Sequence, residues 1–201
     1  MLQARRSSVG GDIGWSDIEA LLWHSTRTMT SDVMGRAGIE IERRAAPSAG
    51  GLHCIHVVCQ MCGEDVQPRM YLPRHAFAML NRRAGSAARN VADVTRLLPR
   101  AAGCTLRFVA DMEKAAAAYN NPESLVWRDS GALAATMGLV AEWLGLSANV
   151  LGIAGGDYMK SIRFPGGRFL AVGGVQVSSR SPRRPVKSGA LGGSDDPGSQ
   201  T

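Results

Sequence analysis

The 201 residues suffice for one domain with a buried core, and shares of 45% hydrophobic and 20% charged residues are ordinary for a globular chain. No apolar run is long enough to span a membrane and the first residues lack the apolar stretch of a signal peptide, so we expect a cytoplasmic protein. The net charge of +6 does not by itself indicate a nucleic-acid binder, because aromatic residues make up 5% and no predicted helix carries a basic stripe.

The first predicted helix covers residues 15–23. Ser16 is the expected N-cap, because Glu19 follows three residues later at the spacing of a capping box. Ile18, Leu21 and Leu22 recur at helical spacing and should form its buried face. Residues 28–42 show no regular pattern and lead into a loop of small residues.

That loop, residues 43–51, is the most informative stretch of the sequence, and it ends at an Ile- and Val-rich strand predicted over 54–59. Pro47 fixes one φ angle, and Ser48 supplies a hydroxyl. Gly50 and its small neighbours let the backbone lie against something flat, and two arginines upstream add positive charge. The stretch suits a planar cofactor with an anionic tail, and it equally suits an ordinary turn before a core strand.

The sequence holds four cysteines, Cys54, Cys59, Cys62 and Cys104. Without a secretory signal they are expected to be thiols rather than a disulfide framework. Cys59 and Cys62 have C-x-x-C spacing with His53 and His56 nearby, so a structural zinc site is the alternative. Strand alternation points the two histidines to opposite faces, and no second pair completes four ligands. The sequence therefore favours buried thiols and no metal.

The sequence pattern in the middle of the chain predicts two more strands and three more helices. The strands cover residues 69–72 and 104–110, and the helices cover residues 73–80, 91–98 and 113–119. Pro73 would open the first of these helices, and Asp111 would cap the last.

The clearest helix covers residues 128–144, with Asp129 or Ser130 as its cap and Gly145 as its stop. Small residues give it a second face, which includes Ala134 and Gly138, where another helix could approach closely. After it we predict a short strand at 150–153, a short helix opening at 154–157 and a last strand at 169–173. Residues 1–177 would form the domain, and residues 178–201 a flexible tail rich in Ser, Pro and Gly.

Four features stand in a distinctive order. They are Arg-Arg-Ser at 5–7, Arg-x-x-x-Pro-Ser-Ala-Gly at 43–50, Met-Tyr-Leu-Pro-Arg-His-Ala-Phe-Ala-Met-Leu at 70–80, and Arg-Asp-Ser-Gly-Ala-Leu followed by Ala-Glu-Trp-Leu-Gly-Leu at 128–146. Together they resemble the nitroreductase superfamily and, within it, the SagB-type dehydrogenase-like branch. The resemblance covers roughly residues 5 to 175.

The resemblance implies an α+β fold, with a mixed sheet sandwiched by helices, in an intimate homodimer that binds one FMN at each end of its interface. It assigns Arg5, Arg6 and Ser7 to the FMN phosphate, chemistry that suits an arginine fork and a hydroxyl. A basic residue beyond the last strand would complete the phosphate site, and Arg180 is the nearest candidate.

The same resemblance assigns the isoalloxazine ring to two further segments. Pro47, Ser48 and Gly50 would line the ring from the neighbouring subunit. Gly152 would offer a backbone N–H near the reactive flavin nitrogen, an assignment that follows from spacing alone.

Two departures from the family pattern stand out. A basic residue often found two positions after the serine of Arg-x-Ser is Val9 here. The lysine that precedes a tyrosine in azoline-oxidising relatives is absent, because Ala118 precedes Tyr119. No catalytic acid or base is evident, and a histidine on or beside a core strand is more often structural.

The expected function is therefore an FMN-dependent oxidoreductase that transfers hydride between the flavin and NAD(P)H or a small or peptide-derived substrate. The alternative is a flavin-free relative that serves as a partner protein in a biosynthetic complex.

Overall fold

The computed structural model describes residues 7–32, 35, 38–63, 66–164 and 168–180. The helices are α1 (Trp15–Thr26), α2 (Ser86–Thr95), α3 (Met112–Ala116), α4 (Pro122–Trp143) and α5 (Gly156–Met159). The strands are β1 (Thr30–Asp32), β2 (Ile41–Arg43), β3 (Ile55–Met61), β4 (Arg69–Leu72), β5 (Ala76–Met79), β6 (Cys104–Asp111), β7 (Leu146–Val150) and β8 (Phe169–Ser179). None of these helices has the length and apolar character needed to cross a bilayer.

The strands form a six-stranded sheet in the order β5-β4-β3-β6-β8-β7 and a small β1-β2 ribbon. Each pairing within the described residues is antiparallel, although the resemblance implies a mixed sheet. Helices cover both faces. Helices α1 and α4 pack over the face that carries Val57 and Phe108, and α5 packs over the face that carries Val58 and Val109.

The central strand β6 is buried along its whole length, and its predicted position is confirmed. Its alternation separates two environments. Leu106 and Phe108 face the apolar layer under α4. Thr105 and Arg107 face α2, where Asn90 donates to the Thr105 hydroxyl at 2.8 Å and accepts from Arg107 Nε at 3.0 Å. The polar side chains of Thr105 and Arg107 are therefore buried, and each makes a hydrogen bond to Asn90.

The first helix is present with the predicted apolar face, but its predicted cap is wrong. Ile18, Leu21 and Leu22 are fully buried. Helix α1 begins at Trp15, so Ser16 lies inside it, and Gly14 occupies the N-cap position. Asp17 accepts a hydrogen bond from the Gly14 N–H at 2.9 Å, since it lies three residues after the cap.

The helix predicted over residues 73–80 is wrong. Pro73 instead begins a turn in which the His75 N–H donates to the Leu72 carbonyl at 2.9 Å, and the chain returns as β5. Proline suits the second position of a turn as well as the first turn of a helix, because both need the same φ. Tyr71 and Phe77 pair across the hairpin, with ring centroids 5.6 Å apart.

Helix α4 begins at Pro122, six residues before the predicted start, and ends near the predicted stop at Gly145. Proline at the first helical position needs no N–H partner, so the sequence from Pro122 continues directly into the helix. Asp129 and Ser130 therefore lie in the helix interior and do not cap it.

Several other boundaries differ from the prediction. Helix α2 begins at Ser86 rather than residue 91, the ribbon β1-β2 falls in the stretch expected to be irregular, and β7 ends where a strand was expected to begin. Strand β8 runs past Gly173 and Gly174 to Ser179. Its register with β6 shifts opposite Arg107, and beyond this irregularity it pairs with β6 on one side and with β7 on the other. It thus extends beyond residue 177, and residues 181–201 lie outside the described residues.

Candidate functional site

The first candidate site is a pocket beneath the Pro-Ser loop, hereafter the loop pocket. It encloses about 480 Å³ of empty space, including the part open to solvent. Its lining residues come from the end of α1, the loop, the start of β3, the β4 turn and α4: Thr26, Arg44, Ala46, Pro47, Ser48, His53, Cys54, Ile55, His56, Val57, Tyr71, Pro73, Asp129 and Leu133. Pro47 and Ser48, both predicted site residues, line it.

Asp129 on α4 holds the Pro-Ser loop in place. The Ser48 hydroxyl donates to Asp129 Oδ2 at 2.5 Å, and the Ala49 N–H lies 3.1 Å from both carboxylate oxygens. The Ser48 hydroxyl also accepts from the His53 N–H at 3.0 Å. The donor proton of Ser48 is thus used within the chain, and this hydroxyl positions the loop.

Gly50 lies against Tyr119 rather than in the loop pocket. Its φ of 60° suits glycine, and a Cβ at this position would lie 2.6 Å from the Tyr119 hydroxyl oxygen. A bulky residue at Gly50 would therefore first disturb the contact between the loop and Tyr119 of the same chain.

Burial shifts the pKa values of the titratable side chains in the loop pocket towards their neutral forms. Burial, and then the positive charge of Arg44, lower the pKa of His53 to about 4. Burial also lowers the pKa of His56, whose ring packs edge-on against Phe169 with centroids 5.9 Å apart. Burial raises the pKa of the Cys54 thiol to about 11. Near pH 7 this pocket therefore presents neutral rings and a protonated thiol.

The second candidate site lies between α4 and the turn that follows β7, hereafter the turn pocket. It encloses about 620 Å³ of empty space, including the part open to solvent. Most of its lining is small or apolar: Phe108, Trp127, Ser130, Gly131, Ala134, Val150, Leu151, Gly152, Ile153, Ala154, Val172, Gly173 and Gly174. Trp127 is 43% exposed and Val150 is 67% exposed.

Gly152, the predicted N–H donor, lines the turn pocket. The turn is tied to β8 by two backbone bonds, from the Leu151 N–H to Gly174 at 2.9 Å and from the Gly173 N–H to Ala154 at 3.1 Å. Between these bonds, the Gly152 and Ile153 N–H groups have no acceptor within the described part of the chain. Both of these N–H groups belong to residues that line the turn pocket.

The N-terminal segment lies along β7 and β8. The Ser8 carbonyl accepts from Ser147 Oγ at 2.6 Å and from Asn149 Nδ2 at 2.8 Å. The Gly10 N–H donates to Ser178 Oγ at 3.1 Å. Ser7 is exposed next to Ser8, whose partner Asn149 precedes Gly152 by three residues. Arg5 and Arg6, the other predicted phosphate ligands, lie outside the described residues.

Arg180, the fourth predicted phosphate ligand, has a carboxylate partner. Its guanidinium pairs with Glu142 near the end of α4 and lies 3.4 Å from the Leu146 carbonyl. Leu146 is the first residue of β7, and Gly152 follows the last, so Arg180 lies at the end of β7 away from Gly152.

The predicted site residues thus fall into two groups within one chain. Pro47 and Ser48 line the loop pocket and Gly152 lines the turn pocket, and the two pockets share no lining residue. Helix α4 contributes residues to both. Sequence reasoning missed Asp129 as the holder of the loop, because an aspartate near an expected helix start is also a typical N-cap.

The four cysteines are free thiols. Cys59 and Cys104 are fully buried on adjacent strands. Within the described ranges, no three histidine, cysteine, aspartate or glutamate side chains are grouped so that they could share a metal ion.

Comparison with known proteins finds likeness in structure but none in sequence. No family model and no curated protein matches the chain. A protein from Ralstonia eutropha JMP134, named as a nitroreductase, matches with a TM-score of 0.61 and 18% identity over 90% of this chain and 82% of its own. A chain of the E. coli microcin synthetase McbBCD complex with truncated pro-MccB17 bound matches with a TM-score of 0.61 and 18% identity, over 86% of this chain and 66% of its own.

A third structure, named as a nitroreductase in complex with FMN from Desulfovibrio desulfuricans, matches with a TM-score of 0.55 and 16% identity over 92% of this chain and 90% of its own. At these identities the likeness concerns the fold. The expected fold class is confirmed: the chain has an α+β nitroreductase-like fold.

Proposed function

We propose that this chain binds FMN and acts as a flavin-dependent oxidoreductase of the SagB-like kind, as one half of a homodimer. In this proposal the flavin ring occupies the turn pocket of one protomer, and the Pro-Ser loop of the partner covers it. The observation that carries the proposal is the pair of unbonded N–H groups at Gly152 and Ile153, which line a pocket floored by small residues.

The lining of the turn pocket fits a planar ring. Gly131, Gly152 and Gly173 lack side chains, and a Cβ at Gly152 would meet no atom within 4 Å. Ser130 does not compete for the ligand, because its hydroxyl donates to the Val172 carbonyl at 2.5 Å. When bound, FMN supplies hydride-accepting and hydride-donating chemistry, and the chain supplies binding and orientation.

The separation of the two pockets supports a site made by two chains. Pro47 lines the loop pocket of its own chain and is absent from the lining of the turn pocket. A second copy would also cover the exposed side of α4, where Trp127, Gly131 and Ala135 are spaced four residues apart. Two-fold homodimers are the commonest soluble assemblies, and aromatic residues are enriched in the buried cores of protein interfaces.

The phosphate site would lie where the N-terminal segment leaves the end of β7. The resemblance to nitroreductases assigns Arg5 and Arg6 to the phosphate. Ser7 is exposed beside Ser8, which is hydrogen-bonded to Asn149. Arg180 is a weaker candidate than the sequence indicates, because Glu142 already neutralises its charge.

Arg5→Ala is expected to weaken FMN binding about tenfold to a hundredfold, because a hydrogen bond to a charged group contributes about 1.5–3 kcal/mol. Quenching of FMN fluorescence during titration of apo-protein measures the affinity. Arg100→Ala, which removes an exposed arginine elsewhere, is the matched control and should leave the affinity unchanged.

Two results would contradict these assignments in different ways. Equal affinity in the wild type and Arg5→Ala would move the phosphate site away from Arg5. A wild-type protein that shows no saturable quenching would instead favour the flavin-free partner protein.

Ala135→Arg is expected to weaken the homodimer, because the substitution places a charge on the exposed side of α4. Light scattering should give about twice the 21.3 kDa of one chain for the wild type and a smaller mass for the variant. Ala134 does not suit this test, since it is 5% exposed in its own chain. Ala88→Arg, on the exposed side of α2, is the control. A wild-type monomer at micromolar concentration would contradict the two-chain site.

The substrate we propose is small or peptide-derived, with NAD(P)H as a candidate reductant. The microcin synthetase complex was solved with a pro-peptide, which supports the peptide-derived class. Turnover of that class here would have to proceed without the lysine that precedes the tyrosine in azoline-oxidising relatives. His53 and His56 both line the loop pocket, and burial lowers the pKa of both, so both are neutral near pH 7.

A further inference from the structure

Arg107 is a buried cation in the central strand β6. Its side chain is 1% exposed, and its Nε donates to Asn90 Oδ1 at 3.0 Å. Among the residues that the structure describes, neither of its terminal nitrogens has a hydrogen-bond acceptor. Burying a guanidinium with two unbonded nitrogens destabilises the fold, so packing alone does not explain why a charged side chain occupies this position.

The guanidinium lies against Gly155, the residue that follows the turn pocket in the chain. A Cβ at Gly155 would lie 2.7 Å from Arg107 Nη1, and Gly155 has a φ of 88°. Ala154, the preceding residue, lines the turn pocket. Phe108, the next residue on β6, lines the turn pocket, so Arg107 points to the opposite side of the sheet, and the sheet backbone lies between its charge and the pocket.

The positive charge of Arg107 is only partly compensated. Asp93 Oδ2 lies 3.6 Å from Arg107 Nη2, beyond hydrogen-bond distance, and the Asp93 side chain is 14% exposed. Asp93 is also shared with Arg96, whose side chain is 74% exposed and whose Nη2 lies 3.2 Å away. The ring of Tyr158 faces the guanidinium, with the centroid 5.2 Å from Cζ, and burial raises the pKa of this phenol, which stays neutral.

We propose that Arg107 raises the reduction potential of the flavin held in the turn pocket, an inference that rests on the proposed function. Reduction of the ring by two electrons and one proton, supplied by the reductant, adds one negative charge. A fixed positive charge behind one layer of backbone favours the reduced form by on the order of tenfold in the equilibrium constant. Arg107 acts through the field of its charge and does not touch the ring.

Two charge-changing variants test this with opposite expected signs. Arg107→Met removes the cation and should lower the midpoint potential of bound FMN. Asp93→Asn removes the compensating carboxylate and should raise it. The potentials are measured by stepwise reduction with dithionite against a reference dye, while the flavin spectrum is followed. Arg96→Gln removes an exposed cation from the same cluster and should shift the potential least, because water screens it.

The possible results distinguish a failure of the role of Arg107 from a failure of the proposed FMN binding. If Arg107→Met does not fold, Asp93→Asn still decides, since Asp93 lies near the surface. Bound FMN with an unchanged potential in Asp93→Asn, or a shift of the same sign in both variants, would overturn the role of Arg107 alone. A wild-type protein that takes up no FMN would overturn both proposals.

Discussion

Gly10→Ala is expected to detach the N-terminal segment from the sheet and to lower the free energy of unfolding by about 2–4 kcal/mol. A Cβ at Gly10 would overlap the carbonyl oxygen of Ser179, at the end of the longest strand. The segment would then lose its bonds to Ser178, Ser179 and Asn149, each of which contributes about 0.5–1.5 kcal/mol.

Urea denaturation measures this loss, and Gly11→Ala is the matched control. A Cβ at Gly11 would lie 3.1 Å from Ser179 Oγ, the end of a side chain that can rotate away. Gly10→Ala should also weaken FMN binding if the segment carries the phosphate ligands. A Gly10→Ala protein as stable as the Gly11→Ala protein would show that the segment is not fixed at this crossing.

Asp129→Ala is expected to release the Pro-Ser loop and to lower the free energy of unfolding by about 2–3 kcal/mol. The carboxylate accepts from the Ser48 hydroxyl and the Ala49 N–H, and hydrogen bonds to a charged group contribute about 1.5–3 kcal/mol. The loss is no larger than this because the bonds are only partly buried. Asp129→Asn should lose less, since its amide oxygen can still accept one of them.

Thermal denaturation of the two variants beside Arg128→Ala checks the prediction. Arg128 is exposed on the same helix, and its hydrogen bonds within the described ranges go to Ser124. Limited proteolysis would show where the loss occurs, because a released loop is cut between residues 44 and 53. Equal stability of Asp129→Ala and Arg128→Ala would contradict the role of Asp129.

The parts of the fold that the sequence could predict are those whose apolar residues follow a regular pattern. The apolar face of α1 follows from Ile18, Leu21 and Leu22. Strand β3 follows from its Ile- and Val-rich run, and β6 from its alternation of apolar and polar residues. The 73–80 hairpin could not be distinguished from a helix, since Pro73 suits both. The hairpin is stabilised by the contact between Tyr71 and Phe77, and the local sequence pattern does not predict that contact.

The candidate site was partly predictable for the same reason. The Pro-Ser loop stands out by composition, and Gly152 was found by its distance from the long helix. The partners of these residues were not predictable, because Asp129 lies 81 residues from Ser48 and Arg107 lies 48 residues from Gly155. The free N–H of Gly152 depends on the bonds on either side of it, which only the fold reveals.

The adjacent residues Asp129 and Ser130 have a mechanical consequence. Asp129 bonds to the loop of one pocket, and Ser130 bonds to the Val172 carbonyl at the floor of the other. Because a helix is stiff along its axis and these side chains leave it from consecutive residues, a rotation of α4 that loosens one anchor also displaces the other. The two candidate pockets are therefore coupled through α4, and thermodynamic linkage makes any such coupling equal in both directions.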